Sequence, residues 1–220
     1  MGKNGFLSQK KPKLRSNHTA LSNETFYARL SKSLLMKKTL LAFGLLFFAF
    51  CANAQYLVGL SSYFEDSFVE WHFYVENEDG EEEEGTLKLT WQLREDDWTE
   101  WDYRIGDMTG TIKIKWKGSP EEWELRGNNS IVSARTVWPG QFDEWRVYDG
   151  ETTLTIKSKW TNQWDRWLLR NSNNGNFEMY TSYERDPRDW VIVDELDDSV
   201  TFEMKLMLMF ITMFNSTPKQ

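Results

Sequence analysis

Between residues 55 and 220 the side chains able to do chemistry are carboxylates, aromatic rings and one histidine, His72. A serine or cysteine nucleophile needs a histidine beside it, and the common zinc sites need several His or Cys ligands. The single cysteine, Cys51, stands before a cleavage signal, so this part of the chain holds the parts for neither. His72 falls out of phase with Trp71 and Phe73, which places it on the wet face of a strand as a solvated residue. Carboxylates are plentiful, and two suffice for glycoside hydrolysis. Yet Glu100, Glu122 and Glu144 recur with a sequence repeat, and a residue present in every unit reads as structural rather than as half of one acid/base pair. The turn Glu78-Asp79-Gly80-Glu81-Glu82-Glu83-Glu84 offers oxygen ligands but lacks EF-hand spacing, and reads as a solvated acidic loop. Binding chemistry then rests on four rings, Phe68, Trp98, Phe142 and Trp164, each three positions before a repeated tryptophan. The odd offset sets them on the face opposite the core, where they could stack on sugar rings or on a partner, or else fold over the loops as lids. The expectation is a non-enzymatic chain with no cofactor and no bound metal.

The elements that position these groups are written in a repeat. Residues 98 to 163 hold three units of 22 residues, WTEWDYRIGDMTGTIKIKWKGS, PEEWELRGNNSIVSARTVWPGQ and FDEWRVYDGETTLTIKSKWTNQ. A Glu-Trp pair opens each unit at Trp101, Trp123 and Trp145, and a second tryptophan follows 15 positions later at Trp116, Trp138 and Trp160. In the first unit Trp101, Tyr103 and Ile105 alternate with Asp102 and Arg104, and Ile112, Ile114 and Trp116 with Lys113 and Lys115. Period two on both sides of a Gly, Asn or Asp-rich reversal is a β-hairpin with one dry face. The phase assigns the second tryptophans to that dry face, and the charged positions to a cross-strand ladder on the wet one.

Looser copies flank the regular units. Trp71, Phe73 and Val75 return through Leu87, Leu89 and Trp91, and a fifth unit runs from Trp164 to Asp186 with Tyr183 near the place of the second tryptophan. The sixth begins at Pro187 and runs on through Phe202, Met204, Leu206, Leu208 and Phe210, apolar on both parities, which predicts a buried or seam-closing last strand. The fold class expected is all-β, an antiparallel meander of about six β-hairpins, rolled or closed into a barrel or sandwich so that the indole-rich face is hidden. Residues 55–220 form a single repeat domain in this reading.

Before it, residues 1–35 read as a disordered or untranslated leader, and residues 36–54 as a signal peptide. Met36-Lys37-Lys38, an apolar run, and Ala52-Asn53-Ala54 before Gln55 give the charged, greasy and small-residue zones in order. The apolar run is short of the ~20 residues a membrane span needs, so no transmembrane segment is expected in the processed chain. Phe50 before Cys51 departs from a lipobox, which argues against lipid anchoring. Nine of the 26 Lys and Arg and one of the 34 Asp and Glu lie in residues 1–54, leaving 17 against 33 and a formal charge of −16. So acidic a chain is a poor partner for nucleic acid. It is expected to be secreted or periplasmic, with polysaccharide or a surface protein as its possible partner.

These aromatic hairpins loosely resemble the cell-wall-binding repeats of bacterial surface proteins and the hairpin units called MORN. A nearer resemblance is to uncharacterised secreted bacterial proteins carrying D-(Phe/Trp)-x-E-Trp … T-I-K-x-x-Trp units, which here match Phe142-Asp143-Glu144-Trp145 and Thr155-Ile156-Lys157 before Trp160. That resemblance implies a repeat architecture and no activity.

Overall fold

A computed structural model describes residues 55–92, 97–170 and 172–219; the expected leader, the signal segment and Cys51 lie outside them. Twelve antiparallel strands follow one another: β1 Gln55–Ser62, β2 Glu70–Asn77, β3 Glu82–Leu89, β4 Glu100–Ile105, β5 Met108–Trp116, β6 Ser119–Gly127, β7 Ser130–Thr136, β8 Glu144–Tyr148, β9 Thr153–Trp160, β10 Gln163–Leu169, β11 Gly175–Tyr183 and β12 Asp186–Leu196. Each pairs with the next, and β12 pairs with β1 to close a barrel. The meander expected from the repeat is therefore present, in its closed form.

The seam shows how the sixth unit is completed. Strand β12 opens it, but the returning strand is β1, supplied by the N-terminal side of the domain, with Leu60 opposite Trp190. Sequence periodicity did not mark β1. Its eight residues hold only Leu57 and Leu60 as buried apolar positions, and a register shift between Leu57 and Gly59 breaks the alternation.

Tight reversals at one end follow the expected chemistry. Asn128 and Asn129 both have positive φ, as a two-residue hairpin turn requires, and Gly106 has φ 51°. Elsewhere glycine serves as floor space. Gly85 lies opposite Phe73 and Gly110 opposite Tyr103, and a Cβ added at either would sit 2.1 Å or 2.4 Å from the facing ring. The rings lie flat over these glycines, and so cover backbone that has no side chain of its own.

Twelve strands about 4.8 Å apart and tilted by about 40° close at a backbone radius of about 12 Å, too wide for wall side chains to meet at the axis. The C-terminal segment fills that space. It is a helix, α1 Phe202–Ser216, and Glu203 through Phe214 are buried on every side of it. This corrects the expectation of a last strand over the same residues. A run apolar on both parities satisfies a helix surrounded by wall as well as a strand buried on both faces, so periodicity cannot separate them. Length decides: 15 apolar-rich residues outrun a strand, and Met, Leu and Phe in this run lack the β-branching that favours strands. Thr201 caps the start by accepting the Met204 N–H, and Phe210 and Phe214 wedge against Trp123 at 4.9 and 4.6 Å between ring centres. The helix lies nearest β7, where the wall offers only Val132 and Ala134, and away from β2 and β4, which offer Trp71, Phe73, Trp101 and Tyr103.

One charged device pins this core. Lys205 of α1 reaches Asp194 of β12 at 3.0 Å, with both side chains almost wholly buried, and donates to the Gln55 carbonyl of β1 at 2.9 Å. Asp194 also accepts the N–H of Leu57 at 3.1 Å and of Leu196 at 3.2 Å. The carboxylate thus takes over a β1 donor beyond the last paired residue, Gly59. Helix, first strand and last strand meet at one ion pair.

Tyr103 is less well satisfied, for its buried hydroxyl has no hydrogen-bond partner among the described residues. Burial first, and the charge of Glu203 second, push its phenol up to about 12. A raised acid pKa favours the neutral folded form, so stability is intact below about pH 10 and falls as pH rises towards 12, by about 2–3 kcal/mol. Tyr103→Phe is expected to abolish that alkaline loss and to leave neutral-pH stability equal or higher, since it removes an unpaired buried hydroxyl. Urea midpoints from pH 7 to 12 for both proteins would check this, and an unchanged alkaline limb in the variant would refute it.

Candidate functional site

All the even strands start at one end of the barrel, so whatever the repeat places just before or after those starts forms a ring there. Six inward indoles make the inner ring: Trp71, Trp101, Trp123, Trp145, Trp167 and Trp190, none more than 3% exposed. Each donates its indole N–H to the carbonyl three residues earlier, that of Phe68, Trp98, Pro120, Phe142, Trp164 and Pro187, at 2.8 to 3.3 Å. That recurring bond explains the fixed spacing, because a buried indole N–H needs an acceptor and the bend into each even strand supplies one.

The side chains at those earlier positions are the aromatic site residues expected from sequence. The structure brings Phe68, Trp98, Phe142 and Trp164 to this same end, half-buried, each against the tryptophan it precedes at 5.8 to 6.2 Å between ring centres. They act as lids on the inner ring, and keep one edge in solvent.

The second tryptophans are where the expectation fails. Trp116, Trp138 and Trp160 are 60, 59 and 54% exposed, so they do not belong to the dry face. The reason is visible in the ladder: the register shifts between Ile114 and Trp116, and again between Gln163 and Trp167 opposite the end of β9. The even strand spends two more residues there than the odd one, since Ile114 faces Trp123 but Trp116 faces Ser119, and Ser158 faces Trp167 but Trp160 faces Gln163. Beyond this irregularity the strand end no longer follows the phase of the core. Trp91, Tyr183 and Tyr63 are exposed at matching strand ends, so every repeat contributes one outward ring to this end. Along the circumference the rings stand about 12 Å apart, two strand spacings of a tilted barrel. Strict alternation hid this girdle. The signal that could have revealed it was the turn just beyond each second tryptophan, at Gly118, Gly140 and Thr161-Asn162, since bulges concentrate at strand ends beside such turns.

The rings are held in place by charge. Trp116 donates to Glu122 at 2.7 Å and Trp91 to Glu100 at 3.2 Å, while Lys115 and Lys159 lie over Trp116 and Trp160 at 5.9 and 5.2 Å. Partial burial pushes the Glu122 carboxyl up, but the hydrogen bonds from Lys115 and Trp116, with the Lys115 charge, outweigh it and hold the group below its usual range. The acceptor therefore stays ionised at neutral pH and is lost only on acidification. Glu144 is likewise occupied, by Lys157 at 3.1 Å and Arg170 at 3.5 Å. The repeated glutamates sit on the convex outer wall, each engaged by a cation or an indole.

Of the other residues singled out, His72 stacks on Tyr63 at 5.1 Å and pairs with Glu84 at 2.7 Å, a partnered surface group. Among the described residues no group of three or more His, Cys, Asp or Glu stands close enough to hold a metal ion. Nor is any described helix long and apolar enough to cross a membrane. The outer wall carries Lys88–Glu70, Lys115–Glu122 and Arg126–Glu124 pairs where a lipid-facing barrel would carry an apolar band.

Comparison with protein-family models, with curated proteins and with solved structures gave no match. Fold and site on their own define a twelve-stranded, helix-filled barrel with a two-tier aromatic rim at one end.

Proposed function

We propose that this chain is a secreted, non-enzymatic binding or scaffolding module whose working face is the aromatic-rimmed end. One observation carries the reading: six exposed rings, one per repeat and with Phe64 beside the first, all at one end of a barrel whose wall is otherwise charged. Exposing several large rings together works against folding, so their concentration in one band favours a role in contact with something else. Among the described residues the other end, with its Asn and Gly turns, exposes Ile131 as its one large apolar side chain.

The second reading names the partner class as a glycan or cell-wall polymer. It is favoured by the setting of the rings, flat indole faces flanked by Glu122, Glu100 and the lysines. Sugar rings present an apolar face and a hydroxyl edge, and such a surround matches both. The variant Trp116→Ala, Trp138→Ala, Trp160→Ala is expected to unfold within about 1 kcal/mol of the parent, because surface positions contribute little. It is also expected to lose at least ten-fold in retention on purified wall polysaccharide, and to lose the emission quenching that soluble polysaccharide causes in the parent. Equal retention by the two proteins would overturn the assignment of the face.

A further inference from the structure

The rim is not uniform, and its irregularity leaves a hollow. In three repeats the lid ring lies near-parallel or tilted on its tryptophan, at 24° for Phe68, 42° for Trp98 and 40° for Phe142. Trp164 instead stands edge-on to Trp167 at 82°. The next repeat has no lid ring, because Pro187 holds that place before Trp190. Pro120 does the same before Trp123, but there Phe210 and Phe214 of α1 fill the gap. Nothing equivalent reaches Trp190: by this point the helix has ended at Ser216, and among the described residues no ring packs on Trp190. The result is an open cavity of about 330 Å³ between Trp164 and Trp190, with Ser216 among its lining residues.

Polar groups converge on the same hollow. Gln163, Asp165 and Arg185 line it. Asp165 accepts the Gln163 amide on one oxygen, and its other oxygen has no partner among the described residues. Arg185 sits in the β11–β12 turn at φ 65°, paired only loosely with Glu184 at 3.8 Å, so its guanidinium is able to turn inward. The cavity thus offers an indole, an open carboxylate acceptor, an amide and a guanidinium donor.

The geometry points to a binding subsite for one neutral pyranose residue of a glycan, stacked on Trp164 and hydrogen-bonded through its hydroxyls to Asp165, Gln163 and Arg185. The volume lies at the low end of ligand pockets, about 300–1,000 Å³, which suits a single sugar and excludes a chain. Asp165 offsets Arg185, so an acidic sugar gains no net charge attraction over a neutral one. Vicinal hydroxyls, each donor and acceptor, match a carboxylate next to an amide. This inference rests on the glycan reading above, but it concerns the inner tier of the rim, whereas that reading concerns the outer girdle.

The probes are the methyl glycosides of glucose, galactose, mannose and N-acetylglucosamine, with methyl glucuronide as the acidic comparison, applied to the purified protein. Saturation-transfer NMR is expected to detect at least one neutral glycoside, with weaker transfer to the glucuronide. Affinity should fall at least ten-fold in Asp165→Asn and Trp164→Ala, and by no more than about three-fold in Trp164→Phe, which keeps a ring. Should Trp164→Ala fail to fold, the contrast between Asp165→Asn and Trp164→Phe carries the same test. Transfer to no glycoside, transfer that Asp165→Asn leaves unaltered, or preference for the glucuronide would overturn the subsite. Wall polysaccharide retained in the face of any of these results would leave the outer girdle standing and remove the pocket alone; loss of both would remove both.

Discussion

A chain ended after Thr201 is expected to lose its cooperative unfolding transition. The helix it lacks buries Met204, Leu206, Met207, Leu208, Met209, Phe210, Ile211, Met213 and Phe214, nine apolar side chains at or below 9% exposure. At about 1.5–3 kcal/mol each, their burial is worth roughly 14–27 kcal/mol, against a net stability of about 5–15 kcal/mol for an ordinary domain. Removal also exposes the inner faces of Trp123 and Trp101, which meet Phe210 at 4.9 and 5.9 Å. A twelve-stranded wall leaves a lumen that its own side chains do not fill. Near-ultraviolet circular dichroism and urea unfolding should show weak tertiary signal and a broad, non-sigmoidal change. A sharp transition in the shortened chain would mean that the wall stands without its filling.

Lys205→Met should cost about 3–5 kcal/mol, the range for stranding one member of a buried ion pair. Asp194 would then keep only the Leu57 and Leu196 N–H groups, and the Gln55 carbonyl would lose its donor. The loss falls on the seam, where β1 and β12 share three registered pairs, Gly59 with Val191, Leu60 with Trp190 and Ser61 with Asp189. Hydrogen exchange should therefore accelerate at Leu57 and its neighbours before it does in β5 or β6. Replacing both partners, Lys205→Met with Asp194→Leu, should recover only part of the loss, because the two backbone donors that Asp194 accepts would still be orphaned. Full recovery in the double variant would show that the carboxylate serves the lysine alone, and uniform acceleration of exchange would show that the seam is not where the barrel opens.

Much of the architecture was legible because the repeat writes one face in tryptophan. Trp101, Trp123 and Trp145 stand at a fixed phase within their hairpins, and burying one ring outweighs any surface pair on the same strands, so the dry side had to be where it is. Lids at Phe68, Trp98, Phe142 and Trp164 were legible as positions but not as contacts. Their carbonyls, which the inner indoles bond, leave no trace in side-chain type, since any residue supplies a carbonyl.

Hydrophobic period and turn residues by themselves determined that this chain is a meander of hairpins, rolled into a barrel or a sandwich, with the opening tryptophan of each unit on its dry face. Only the tertiary structure decided three things. A break in register at the rim, with two extra residues on the even strand, left Trp116, Trp160 and Tyr183 outside the phase of the core, and an irregularity confined to the strand end is invisible to a period of two that is sampled over six residues. The last apolar run became a helix, because the lumen left by twelve strands is a cylinder with greasy walls all round, and a helix is the one regular element that satisfies its own backbone there. And β1 completed the sixth hairpin from the opposite end of the domain, since barrel closure is a property of the strand count and tilt that no local stretch encodes.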